Sequence, residues 1–115
     1  MRRVWCVTAA ICLLVGCTSA EKAASDARQA AGSWGATLSA AAERWGSGNI
    51  STHYFQSVIT QARTSLNQEA SSARSAGGDA AAAPADAVAS NIDAIERAVT
   101  SGDRSAAIAA AHDAA

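Results

Sequence analysis

Alanine occupies 32 of the 115 positions, and together with a few large apolar residues it recurs at alternating spacings of four and three. Ala20, Ala24, Ala27, Ala31, Trp34, Leu38, Ala41 and Trp45 form such a seam without a gap. Side chains three and four positions apart share one face of a helix, so the seam describes a continuous apolar stripe. No segment alternates apolar and polar residues with the period of two that a half-buried strand needs. Alanine is the best helix former but buries little area. After residue 16 the large apolar side chains are only Trp34, Leu38, Trp45, Tyr54, Phe55, Leu66, five isoleucines and three valines. The expectation is high helicity around a thin core.

Local signals divide the chain into helices. Thr18-Ser19-Ala20-Glu21 matches a capping box, in which hydroxyl and carboxylate satisfy early backbone amides. It predicts a first helix over about 19–45, stopped by Gly46-Ser47-Gly48. Gly32 and Gly35 flank Trp34 and weaken that helix by ~1 kcal/mol each relative to Ala. They either let another helix approach closely or mark a kink. Ser51 caps a second helix over about 51–74, whose apolar face is Phe55, Val58, Ile59, Ala62, Leu66, Ala70 and Ala73. Residues 75–83 read as a small-residue linker centred on Gly77-Gly78, with Pro84 at the first position of a third helix over 84–100. Its stripe is Ala85, Val88, Ile92, Ile95 and Val99. Ser101-Gly102-Asp103 ends this helix and caps a short fourth one over 103–114, which offers Ile108 and a line of alanines and is expected to fray. The predicted fold class is all-α: a small antiparallel three-helix bundle with a short fourth C-terminal helix.

The N-terminal segment has a different character. Arg2-Arg3 precede Val4 to Val15, apolar except for Thr8. That length suits the apolar region of a signal peptide and falls short of the ~20 residues of a spanning helix. Leu14-Val15-Gly16-Cys17 resembles the lipobox of bacterial lipoproteins, a likeness that covers residues 1–17. The resemblance implies that Cys17 takes a diacylglyceryl group on its sulfur and that cleavage after Gly16 removes residues 1–16. It also implies that the new amino group can gain a third acyl chain, such as palmitate. Two chains suffice for stable anchoring at ~0.8 kcal/mol per buried methylene. The mature domain, 17–115, is then exported and tethered to the bacterial cell membrane. By the same resemblance, Thr18 in place of Asp after the cysteine implies sorting to the outer membrane where the host has two. An ordinary secretory cut after Thr18-Ser19-Ala20, or a retained anchor, are the other readings of this segment.

Little in the remainder points to chemistry. Cys6 and Cys12 leave with the signal, so Cys17 is the sole remaining cysteine, and neither a disulfide framework nor a thiolate metal site can form within the mature chain. From Cys17 onward seven basic and ten acidic side chains, scattered singly, leave a formal side-chain charge of −3. Nucleic-acid binding needs clustered Lys and Arg to replace phosphate counterions, which this distribution does not supply. His53 and His112 could form a two-histidine site with Asp113 or Glu69 only if the second and last helices met; otherwise they are exposed polar residues. There is no glycine-rich phosphate loop, nucleophile elbow or paired-carboxylate motif, so neither an enzyme nor a cofactor is expected. Trp34, Leu38, Trp45 and Phe55 form either the bundle core or a ligand or partner surface left open by a core poor in large residues. The expected function is a lipid-anchored envelope protein acting as a helical structural or accessory module on another envelope protein. The alternative is a membrane-tethered carrier holding a small apolar ligand between Trp34, Leu38 and Phe55.

Overall fold

The computed structural model describes residues 2–115, with side chains from Ala20 onward. The side chains of Leu14, Val15, Gly16 and Cys17, the motif that resembles a lipobox, therefore lie outside the described residues. Among the described residues every regular element is a helix and none is a strand: α1 spans Arg2–Gly46, α2 Thr52–Thr100 and α3 Arg104–Ala114. Because α1 already begins at Arg2, Thr18-Ser19-Ala20-Glu21 lies inside a running helix instead of capping its start.

The linker expected over 75–83 is not there. Helix continues on both sides of Gly78, whose φ of 78° and ψ of −169° are the only non-helical backbone angles inside α2. That conformation is essentially open to glycine alone, so a single residue reverses the chain. The run Ala80–Ala83 winds into helix because alanine gains most from doing so. Pro84 accordingly stands inside α2, not at a first helical position, and removes one backbone hydrogen bond there. The helices expected over 51–74 and 84–100 are thus two arms of one element, and the short C-terminal helix is α3.

Ion pairs across the arms show their direction. Arg63 donates to Asp93 at 2.9 Å and to Glu96 at 2.6 Å, while Arg74, nearer the reversal, reaches Asp79 and Asp86. As one partner advances along the chain the other retreats, which makes the arms antiparallel. The first arm is likewise antiparallel to α1. Trp45 Nε1 donates to Thr52 Oγ1 at 3.0 Å at one end, and Gly77 lies against Ala20 at the other.

Both interhelix turns close in the same way. Asn49 N–H donates to the Arg44 carbonyl and Gly48 N–H to that of Trp45; Asp103 and Gly102 repeat this pattern on Ala98 and Val99. These are Schellman turns, which satisfy the last carbonyls of a helix. Ser51 and Asp103 then cap the following helices, accepting from Tyr54 N–H at 3.1 Å and Ala106 N–H at 3.0 Å.

The core follows the predicted stripes. Phe55, Leu38, Ile59, Leu66, Ile92 and Ile95 are its largest fully buried side chains, with Ala27, Ala31, Ala41 and Trp45 completing the α1 contribution. Ala42 is also fully buried although it lies off the seam. The reason is α3, which packs on a second face of α1 and buries its own Ala107, Ala111 and Ala114. A Cβ at Gly35 would stand 2.5 Å from the Ala114 carbonyl oxygen, and one at Gly46 would stand 2.8 Å from Ile108 Cδ1. Gly35 is therefore a point of close helix approach. Gly32 faces open space.

Candidate functional site

Three surfaces compete for a functional role, and the first is the aromatic cluster that the sequence singles out. Leu38 and Phe55 have no exposed area and Trp45 retains 4%, while Trp34 is half-buried against the core. The Trp45 and Phe55 rings sit 5.5 Å apart at 33°, within the range of favourable aromatic packing. The Trp45 indole N–H is satisfied by Thr52, and the Arg104 guanidinium lies 6.0 Å from the ring centroid. Arg104 also donates to the Gly46 carbonyl at 3.2 Å, tying the start of α3 to the end of α1. These contacts make the cluster a joint between helices.

The second surface contains the histidines, which occupy separate places. His53 lies beside Gln56, Ser57, Thr60 and Gln61 on an exposed polar face of α2. His112 faces α1, where its Nε2 is 3.1 Å from Glu43 Oε1 and its Nδ1 is 3.2 Å from Ser39 Oγ. In the neutral tautomer Nε2 donates to Glu43 and Nδ1 accepts from Ser39. Hydroxyl, imidazole and carboxylate thus stand in a row, as in a hydrolytic relay. Ser39, however, lies about two turns before the end of α1, where the surrounding backbone N–H groups are held in the helix and cannot stabilise an oxyanion. The row acts as a clasp between α3 and α1. Among the described residues no group of three or more His, Cys, Asp or Glu side chains could hold a metal ion.

The third surface was not legible in the sequence. Where α1 gives way to α2, an open groove of about 470 Å³ is lined by Thr37, Ala41, Arg44, Ile50, Ser51, Tyr54 and Val58. Ala41, Ile50 and Val58 are buried or half-buried and form its apolar base. Tyr54 stands beside them with 59% of its surface exposed. Its position follows from the cap: Ser51 holds Tyr54 N–H, which fixes the first turn of α2 against the end of α1. Thr37 donates its O–H to the Ser33 carbonyl, while Ser51 accepts from Tyr54 N–H and keeps its own O–H as a donor. Arg44, the Tyr54 hydroxyl and the Ser51 O–H supply the remaining polar character. Tyr54 could have been noticed as an aromatic residue off the α2 stripe, but the groove itself depends on how Ile50 folds under it.

The ion pairs between the α2 arms lie on another side. Hydrogen bonding to Arg63 is the main influence holding the Glu96 carboxyl below the usual carboxylate range, and the same contact raises the Arg63 guanidinium further. Among the described residues, no helix is long and apolar enough to cross a membrane. No known protein family, curated protein or solved structure matches this chain.

Proposed function

We propose that this chain is a lipid-anchored bacterial envelope protein, held at the membrane through Cys17, whose helical domain is an accessory interaction module for another envelope protein. The Leu14-Val15-Gly16-Cys17 motif supports the anchor. The observation that carries the interaction reading is the groove beside Tyr54, because an exposed aromatic ring over an apolar floor is a common anchor point at protein interfaces.

The two features lie at opposite ends of the bundle. Gly77 packs on Ala20, so the reversal at Gly78 is level with the residues that follow Cys17. The groove is centred near Ala41, about 30 Å along the helix from Ala20 at the usual rise per residue. In this proposal the lipid attaches at the Gly78 end of the bundle, which leaves the groove at the far end from it. An α1 that runs through the anchor region without a linker favours this arrangement, since no flexible tether separates lipid and bundle.

The carrier reading draws less support. Leu38 and Phe55 are packed to zero exposure and do not line the groove, so a ligand between them would have to open the core. An antiparallel bundle with α3 as its shorter, fourth helical segment is the arrangement this proposal assigns to the mature domain. Metabolic labelling with a fatty acid tests the anchor. Wild-type protein is expected to carry label and Cys17→Ala to carry none; equal labelling of the two would overturn it.

A further inference from the structure

We infer that the groove beside Tyr54 receives a protein segment that presents a carboxylate next to an apolar side chain. The inference rests on the interaction-module reading but is independent of the lipid on Cys17. Arg44 is the one charged residue in the lining. None of the ion pairs among the described residues engages it; its neighbour Glu43 is turned to His112 on α3. Thr37 spends its O–H on a helix carbonyl, whereas Ser51 accepts in the cap and keeps its O–H, so the donors the groove offers are a guanidinium, a phenol and one hydroxyl. A guanidinium has donors only and a phenol can donate, so the complementary ligand group is an acceptor, and a carboxylate accepts from the guanidinium in a fork geometry.

The apolar requirement comes from the base. Ala41, Ile50 and Val58 present hydrocarbon that water covers poorly, and Tyr54 walls it on one side. The shape selects the kind of ligand. Small-molecule sites enclose most of their ligand, whereas this groove of about 470 Å³ is open to solvent and has room for one or two side chains of a larger partner. A domain with more acidic than basic side chains would repel an acidic partner elsewhere, so Arg44 also sets where such a segment can dock.

The test uses the full chain in detergent micelles, with methyl resonances of Ile50 and Val58 as reporters. The probe is a short blocked peptide containing Leu-Asp, compared with its Leu-Asn counterpart. The Leu-Asp peptide is expected to shift both methyl signals and to bind roughly fivefold more tightly than the Leu-Asn peptide, the upper range for an exposed ion pair. Arg44→Gln should abolish that preference, and Tyr54→Ser should weaken both peptides. Both side chains are exposed, and an unchanged helical circular dichroism spectrum confirms the fold of each variant. Absence of shifts at millimolar peptide, or equal binding of the two peptides to wild type, would overturn the inference. So would a preference that survives Arg44→Gln. Complete competition by hexanoate at equal concentration would instead identify a small carboxylate ligand, and Arg44-dependent self-association would identify a second copy; either overturns the proposed occupant. Failure of the peptide test leaves fatty-acid labelling of Cys17 intact, and loss of labelling leaves peptide binding intact, so the two proposals fail separately.

Discussion

The two ends of the bundle are built from different materials. Toward the Gly48 and Gly102 turns, the interior holds Leu38, Trp45, Phe55, Ile59, Ile95 and Val99. Toward the Gly78 reversal it holds mainly Ala27, Ala31, Ala70, Ala73, Ala81, Ala82 and Ala85. The antiparallel register set by Trp45 with Thr52 and Ala20 with Gly77 places these groups at separate levels. Large side chains remove more apolar surface from water, at roughly 25 cal/mol per Å², so hydrophobic stabilisation is concentrated at the end that carries the groove. The alanine end relies on intrinsic helix propensity and close backbone approach. The partner surface is thus supported by the better-filled part of the core, while the proposed anchor is attached to the thinner part.

Truncation should separate the ends most clearly. Phe55→Ala is expected to destabilise by roughly 3–5 kcal/mol, the range for a large buried aromatic. Ala70→Gly, at the other end, should cost about 1 kcal/mol through helix propensity. Denaturant midpoints of the two variants check this difference, and equal losses would break the comparison.

The reversal and the α3 contact come next. Gly78→Ala forces a side chain into a backbone region that is costly for it, with an expected loss of about 1–3 kcal/mol. Gly35→Ala places a Cβ against the Ala114 carbonyl and should loosen α3 while leaving most of α2 intact. Hydrogen exchange is expected to quicken over Arg104–Ala114 in that variant, with protection retained around Ile59 and Ile92. Uniform loss of protection across the chain would show that α3 and the main bundle open as one unit.

The smallest expected effect belongs to the arm-to-arm ion pairs. Arg63→Gln should cost less than about 1 kcal/mol, because both partners are substantially exposed. Its pH signature is more informative. Arg63 depresses the folded-state pKa of Glu96, so the associated stability is present above the unfolded carboxylate pKa and is lost as pH falls through the lower folded value. Arg63→Gln should flatten that part of the acid dependence, as read by thermal midpoints across the acidic range. An unchanged profile would remove Glu96 from the account.

The periodic stripes were legible because they are local. Ile59, Leu66, Ile92 and Ile95 are buried where spacings of three and four place them, and Ser51 caps the helix that follows it. Residues 75–83 misled because small residues and paired glycines suit both a linker and a helix reversal; only the backbone of Gly78 leaves the helix. Ala42 was missed because one apolar stripe accounts for one neighbour, whereas α1 has two. The groove was missed because Thr37, Ala41 and Arg44 share one α1 face and Tyr54 and Val58 one α2 face, and no local pattern shows that the two faces meet over Ile50.

By itself the sequence determined helical class, the principal buried faces and the capping at Ser51 and Asp103, since propensity, face sharing and caps act over a few neighbouring residues. It also carried the Leu14-Val15-Gly16-Cys17 motif on which the anchor proposal rests. Tertiary structure decided that a single glycine reverses α2, that α3 lies on the Gly35 and Gly46 face, and that Tyr54 and Arg44 flank one groove. These outcomes depend on surfaces meeting across long sequence separations, where shape and available space select the partner and local preference does not.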